Sequence, residues 1–317
     1  MSYIGKSVKR VEDKRFITGK GRYTDDIKLP NMTHGCFVRS PYAHANINSV
    51  DTSIAEGMPG VVKIFTGKDI ADAGVNGVPC GWQVNFKNGE TMKEPPHPIL
   101  VADKVKHMGD GVAFVVAETY AQAKDAAEMV QVDYETLPAV FDAEEAVKDG
   151  APLVHEDAPN NKCFDWALGD PIEEVEAALA SAHHVTSIDL TNQRVIPNAI
   201  EPRSAVGHYE DARDKYTLYT TSQNPHLTRL LMSAFVLGIP EHKVHVIAPD
   251  VGGGFGSKIF HYIEEVMVVW ASRQLHRPIK WTAERSESFL TDAHGRDHKT
   301  HVSMGFDAEG KIVSLKS

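Results

Sequence analysis

At 317 residues and 42% hydrophobic content, the chain can bury substantial cores and is too long for one compact core to be the default, so two domains are expected. Its 33 Lys and Arg against 43 Asp and Glu give a net charge of −10, and no basic run stands out that would track a phosphate backbone, which argues against nucleic acid as a partner. The stretch Met1 to Lys6 lacks the apolar character of a signal peptide, and no apolar run approaches the roughly 20 residues that span a bilayer, so a cytoplasmic protein without a transmembrane segment is expected.

Cys36, Cys80 and Cys163 are far apart and form no iron–sulfur or zinc spacing; they read as buried thiols. The apolar run Val61 to Thr66 predicts a strand, and Gly74, Gly77, Pro79, Pro95, Pro96 and Pro98 punctuate the segment after it. Gly111 to Ala117 is a second apolar, β-branched run. Thr119 and Gln122 then make a capping-box signature for a helix reaching about Val130, with a strand over Val130 to Tyr134. This β-α-β order predicts a small α/β domain over 1–148. Gly150, Pro152, Pro159 and the pair Asn160-Asn161 mark a linker over 149–165, which leaves 166–317 as a second unit.

In that unit Asp170 is placed to cap a helix, with Pro171 at its first position, Glu173 closing the box and an end near Ala182. His184 to Leu190 and Lys215 to Thr221 alternate like half-buried strands, and Pro202 to Glu210 predicts a strand interrupted by Gly207. Asn224 and Pro225 signal a further helix, whose apolar face would be Leu227, Leu230, Leu231, Ala234 and Phe235, ended by Gly238 and Pro240. The strand Val244 to Pro249 runs into Gly252-Gly253-Gly254-Phe255-Gly256-Ser257-Lys258, with a helix expected from about Ile259 to Leu275. A hairpin, His301 to Phe306 and Lys311 to Leu315 around Asp307 to Gly310, ends the sequence with nothing after it to cover it, which suggests a longer parent chain.

The glycine loop lets backbone N–H groups approach a ligand, and a helix N-terminus behind it would favour negative charge, so phosphate or oxo-anion cradling is the implied chemistry. A dinucleotide fingerprint counted from Gly252 and Gly254 fails at Ser257, and a phosphate-loop NTPase fails because Ser257-Lys258-Ile259 replaces Gly-Lys-Ser/Thr. A tight turn without ligand, a phosphate-cofactor enzyme and a non-catalytic binding or assembly module are the alternatives.

The pairing of Gln223-Asn224-Pro225-His226 with Asp250 to Lys258 resembles the molybdenum-binding large subunits of the xanthine dehydrogenase, aldehyde oxidase and bacterial carbon monoxide dehydrogenase family. Arg10 to Asp13, Gly19 to Asp26, Arg39 to His44, and Asp133-Tyr134 with Leu137 to Val140 resemble that family's hammerhead domain. Asn192 to Arg194 and Asn198 to Arg203 resemble the start of its molybdopterin domain. The resemblance implies an α+β chain, an α/β hammerhead domain followed by an incomplete molybdopterin-binding α+β domain, and it is nearest to the carbon monoxide dehydrogenase-like members.

It further implies a molybdenum-molybdopterin cofactor in the cytosine dinucleotide form, and hydroxylation of an aldehyde, a heteroaromatic ring or a similar carbon with oxygen from water. FAD and [2Fe-2S] clusters would sit on a medium and a small partner subunit, in a dimer of heterotrimers completed by the C-terminal part of the large subunit. Gln223 would donate its amide to an oxygen on molybdenum, and Gly253, Gly254, Phe255 and Gly256 would bring main-chain N–H groups beside metal and pterin. Read without the resemblance, Gln223 is only the residue before a helix cap. Purine-oxidising relatives carry a glutamate where Ile259 stands, which makes xanthine a poor substrate, and the general base is expected beyond Ser317, so the isolated chain is expected to be inactive.

Three further groups read mainly as structural. His294, His298 and His301, with Asp292 and Asp297, invite a metal site, but their spacing suits a solvated loop and strand better. Glu201 before Pro202 either lines the pocket or makes a structural hydrogen bond at a strand start. Glu264-Glu265 read mainly as the polar face of the helix after the loop, with packing against a neighbouring strand as the alternative.

Overall fold

The computed structural model describes residues 3–95 and 97–317; Met1, Ser2 and Pro96 lie outside the described residues. Among the described residues thirteen strands form three sheets. They are β1 (Thr33–Arg39), β2 (Ala45–Asp51), β3 (Val61–Thr66), β4 (Lys104–Val105), β5 (Gly111–Ala117), β6 (Gln131–Thr136), β7 (His184–Asn192), β8 (Ser204–Glu210), β9 (Lys215–Thr220), β10 (Val244–Ile247), β11 (Ile279–Thr282), β12 (His298–Phe306) and β13 (Ile312–Lys316).

The largest sheet has the order β10-β9-β8-β11-β1-β5-β3. β5 lies inside it, antiparallel to both neighbours, and every residue of GVAFVVA is buried, which explains a continuous apolar run without alternation. The helix Tyr120–Glu128 lays the small side chains of Ala123 and Ala126 towards this sheet, and the Thr119 hydroxyl accepts the Gln122 N–H as the capping signature requires.

The expected β-α-β unit does not make a parallel pair. After the helix the chain enters β6, which pairs antiparallel with β2 in a separate sheet of order β4-β2-β6. The reason is in the strand: Gln131, Asp133 and Glu135 alternate along β6 and stay exposed, so it has only one face to bury and cannot sit in the covered interior of the larger sheet.

β1 pairs parallel with β11 through Thr33↔Ile279 and His34↔Lys280, so the largest sheet takes β1, β3 and β5 from before residue 149 and β8 to β11 from after residue 165. The core follows the sheet. Phe37 packs edge-on to Trp281 at 6.1 Å between ring centroids, and Phe65 to Trp270 at 5.0 Å.

A long helix, Ile263–Leu275, crosses β8 and is buried from Ile263 to Ser272. Gly207 does not interrupt β8, as expected from its sequence, but lets the helix approach: a Cβ there would stand 2.3 Å from the Val268 carbonyl oxygen. Gly207→Ala is therefore expected to cost about 1–3 kcal/mol, read as a lower denaturant midpoint at unchanged slope; an unshifted midpoint would mean that helix and strand separate freely.

The third sheet, β13-β12-β7, is carried by the helix Ile172–Ser181. Asp170 does not cap that helix. Pro171 occupies the cap position with extended backbone (φ −51°, ψ 137°) and leaves Asp170 outside the first turn.

Asn224 likewise makes no side-chain cap; instead its N–H is held by the Ser222 hydroxyl at 2.9 Å. The helix Pro225–Leu230 winds into a π-helix, Leu231–Leu237, and the wider turn rotates the apolar stripe onto Leu231, Met232 and Val236, leaving Leu230, Ala234 and Phe235 exposed. Gly238 ends it in the left-handed region (φ +61°).

None of the cysteines is fully buried as expected; Cys36 comes nearest, half-buried, with burial and then the Glu287 charge pushing its thiol up to about 12. Cys80 and Cys163 lie in polar loops and are exposed. No helix among the described residues is long and apolar enough to cross a membrane.

Candidate cofactor-binding site

The glycine loop is held on three sides by side chains from distant segments. At its start, Arg15 makes a two-pronged ion pair with Asp250, whose Oδ2 also accepts the Arg22 N–H at 2.7 Å. Along one edge, Glu201 Oε2 accepts the Gly252 N–H at 2.6 Å and pairs with Lys258 Nζ at 3.1 Å, while the same ammonium donates to the Glu201 carbonyl at 2.8 Å. Lys258 is 1% exposed, and its burial lowers its pKa. Glu201 thus makes the structural hydrogen bonds of the strand-start reading, and Lys258, the last residue of the Asp250 to Lys258 motif, closes the loop from beneath.

Along the other edge stands Gln223. Its N–H donates to the Lys258 carbonyl at 2.8 Å, and its Oε1 accepts the N–H groups of Gly256 at 3.0 Å and Lys258 at 3.3 Å. Two donors converging on one oxygen set the amide's orientation, so Nε2 points away from them, and among the described residues it has no acceptor. The residue is exposed.

Between these edges the backbone turns through positive φ at Gly253 (+102°), Phe255 (+53°) and Gly256 (+97°). The N–H groups of Gly253, Gly254 and Phe255 have no acceptor among the described residues, whereas that of Gly256 is taken by Gln223. Successive unspent amides on such a turn form a concavity for an anion or an oxygen-rich ligand. Glycine is required for the approach itself. A Cβ on Gly252 would stand 2.5 Å from Glu201 Cβ, and one on Gly254 2.3 Å from Gln223 Oε1.

One expectation about this loop is overturned. The helix after it begins at Ile263, not Ile259, so no helix N-terminus stands directly behind the glycines. Residues 255–258 form turns, the Tyr262 hydroxyl donates to the Ser257 carbonyl, and Glu265 takes the Tyr262 N–H at 3.1 Å. Any affinity for negative charge comes from the loop amides and the open Gln223 amide, not from a helix N-terminus.

Glu264 and Glu265 are also corrected, since both are buried. Glu264 Oε2 lies 2.7 Å from an Arg203 nitrogen and Oε1 2.6 Å from Arg39; Glu265 accepts from Thr220 Oγ1 at 2.6 Å and faces His261 Nδ1 at 2.7 Å. Arg203, stacked 3.7 Å over Tyr262 and bonded to Asp292, joins the loop's supports to the sheet. Of the later histidines, His301 pairs with Asp189 across β7 and β12, and His294 meets the Phe289 carbonyl, so the structure does not gather His294, His298 and His301 into a site. It gathers instead His97, His107 and Asp110, which the sequence reading did not single out.

This loop architecture coincides with two family matches. Residues 18–138 match the aldehyde oxidase and xanthine dehydrogenase a/b hammerhead domain, and residues 154–317 match the molybdopterin cofactor-binding domain. The chain belongs to the molybdenum hydroxylase large-subunit family. It is 38% identical to the carbon monoxide dehydrogenase large chain of Afipia carboxidovorans, over 99% of this chain and 39% of that protein. It is 36% identical to the nicotine 6-hydroxylase large subunit of Paenarthrobacter nicotinovorans, over 99% of this chain and 37% of that one. The structure of reconstituted CO dehydrogenase from Oligotropha carboxidovorans superposes with a TM-score of 0.89 at 37% identity, covering 98% of this chain and 39% of that one. Quinoline 2-oxidoreductase from Pseudomonas putida 86 superposes with a TM-score of 0.85 at 34% identity, covering 99% of this chain and 39% of that one. The chain therefore spans about two-fifths of the length of these relatives, and it is an α+β chain of hammerhead and molybdopterin-binding type.

Proposed function

We propose that Gln223 and the loop Gly253-Gly254-Phe255-Gly256 form one wall of a molybdopterin pocket in a hydroxylase-type oxidoreductase. The carrying observation is the set of unspent donors: three consecutive N–H groups beside a side-chain amide whose oxygen is engaged and whose nitrogen is open. A pyranopterin with its oxygen-bearing metal is rich in acceptors, and the glycines leave room for it to approach the backbone. When bound, that group supplies the transfer of a water-derived oxygen to carbon.

This chain's residues would do the positioning. Gln223 Nε2 donates to an oxygen of the metal group while Oε1 holds the loop through Gly256 and Lys258. The N–H groups of Gly253, Gly254 and Phe255 face the cofactor, and Gly256 acts through Gln223. Lys258 and Glu201 keep the loop in register. Ile259 and Phe260 are exposed beyond the loop and offer no carboxylate there, which favours an aldehyde, a heteroaromatic ring or a related small substrate over a purine.

On the same reading residues 1–148 are the hammerhead unit, 149–165 the connection and 166–317 the first part of the molybdopterin-binding unit. The cofactor is the cytosine dinucleotide form; FAD and [2Fe-2S] lie on a medium and a small subunit. The working assembly is a cytoplasmic dimer of heterotrimers, with the catalytic base supplied by the remaining part of the large subunit.

The test uses the protein captured from its host with its partners. Near-stoichiometric molybdenum is expected in the wild type. Gln223→Ala is expected to lose molybdenum, whereas Gln223→Glu, which keeps the acceptor but removes the donor, is expected to retain molybdenum and lower kcat by about 10²–10³ without a matching rise in KM. A wild-type complex with partners and no molybdenum would sink the proposal.

A further inference from the structure

Away from the glycine loop, His97, His107 and Asp110 converge. Asp110 Oδ1 lies 3.2 Å from His97 Nε2 and 2.9 Å from His107 Nδ1. Asp110 is built in rather than incidental: its side chain is 3% exposed, and its other oxygen, Oδ2, accepts the N–H groups of Lys106 at 2.7 Å and His107 at 3.2 Å. Those bonds turn Oδ1 towards the imidazoles. The backbone around it is fixed as well, with the Ser40 N–H donating to the Asp110 carbonyl at 2.9 Å. His97 is anchored independently, exchanging two backbone hydrogen bonds with Val78 at 2.8 and 3.1 Å.

The two imidazoles meet edge to face, 5.4 Å between centroids and 66° between planes, so each presents a ring nitrogen to the same point. Their side chains are 45% and 46% exposed and stand beside a cavity of about 310 Å³ that also touches Cys80 and Arg39. Arg39 brings no free positive charge, because it is paired with Glu264 and Glu287.

Three ligand atoms around a tetrahedral zinc ion at about 2.0–2.1 Å would lie about 3.3 Å apart, close to the spacings seen around Oδ1. Two nitrogens and one carboxylate oxygen select a first-row transition ion over calcium or magnesium, which require mainly oxygen. The half-exposed rings leave the remaining coordination positions to water.

We infer that His97 Nε2, His107 Nδ1 and Asp110 Oδ1 bind one divalent first-row cation, zinc foremost, at a site open to solvent. The competing account is a metal-free clamp in which both imidazoles donate to Asp110 and hold the 106–110 turn.

The experiment takes the full chain with its co-purifying partners, strips it with a chelator, and titrates it with Zn²⁺ and, as a spectroscopic probe, Co²⁺. One equivalent of Zn²⁺ and the intense visible bands of four-coordinate Co²⁺ are expected. His97→Ala and His107→Gln, at half-exposed positions, are each expected to weaken zinc binding tenfold or more while leaving molybdenum content unchanged. Cys80→Ser is expected to bind zinc like the wild type. A wild type that takes up no more zinc than the double histidine variant, or single variants that bind as the wild type does, would overturn the site in favour of the clamp. Molybdenum and zinc are assayed in the same samples, so failure of either assignment is read separately.

Discussion

Glu264→Gln is expected to destabilise the fold by about 3–5 kcal/mol, the cost of removing one partner from a buried ion pair. Glu264 is 1% exposed and lies between Arg203, itself 4% exposed, and Arg39, 10% exposed. A glutamine keeps the shape but turns an N–H₂ towards a guanidinium, donor against donor, and leaves two buried cations with only Asp292 and Glu287 at the edges. Burial by itself would raise the Glu264 pKa, but the charges of Arg203 and Arg39 overcome it and hold it well below the usual carboxylate range.

The sign of the pH dependence follows. A carboxylate with a depressed folded pKa stabilises above its unfolded value, about 4.3, and loses that stabilisation as pH falls towards the folded value. The wild type should therefore lose stability steeply below about pH 4, and Glu264→Gln should show a shallower loss from a lower start. Denaturant midpoints against pH for both proteins, with Glu287→Gln as a partly exposed control, are the measurement. A Glu264→Gln midpoint equal to that of the wild type would show that breaking the buried pair costs the fold nothing.

Gly254→Ala is expected to abolish molybdenum retention in the assembled enzyme with little loss of global stability. The added methyl would meet the far end of the Gln223 side chain at 2.3 Å, and that end can swing away. Its departure frees the Gly256 and Lys258 N–H groups and carries Nε2 with it, so the loop loses its conformation and the pocket its amide donor together. Metal analysis beside a thermal melt separates the outcomes. Full molybdenum at an unchanged melting temperature would show that the loop does not line the pocket, and a large drop in melting temperature would show that the glycine serves packing.

Much of the architecture is written locally. The apolar run of β5 and the Thr119 cap arise from a local pattern or one short hydrogen bond, and each reads directly; β7 and β9 stand where alternation placed them, but neither is half-buried, since β7 is exposed along its whole length and β9 is buried at Tyr216, Thr217, Leu218 and Thr220. The glycine loop is legible for the same reason, since four glycines in five residues are costly unless a backbone must come close to something. Its supports were only half legible: Gln223 and Glu201 stood out through their motifs, whereas Arg15 against Asp250 joins positions 235 apart and has no local signature.

Where local reading failed, a distant partner or a backbone irregularity was responsible. Glu264 and Glu265 look like a polar helix face, and without Arg39, 225 positions away, and Thr220, 45 away, they would be one. Leu230 and Phe235 look like core until a π-turn rotates them outward. His107 and Asp110 are neighbours in the chain, but only the backbone pairing with Val78 delivers His97 to them.

The sequence by itself determined the glycine loop, the family resemblance and the positions of most strands, though not of β1, β2, β4 or β11, because these rest on contacts within about ten residues or on short motifs. Only the tertiary structure decided which strands share the large sheet, which carboxylates are buried, and which imidazoles meet. Those outcomes depend on burying charge and closing long loops, and a burial energy belongs to the partner that covers a group as much as to the group itself.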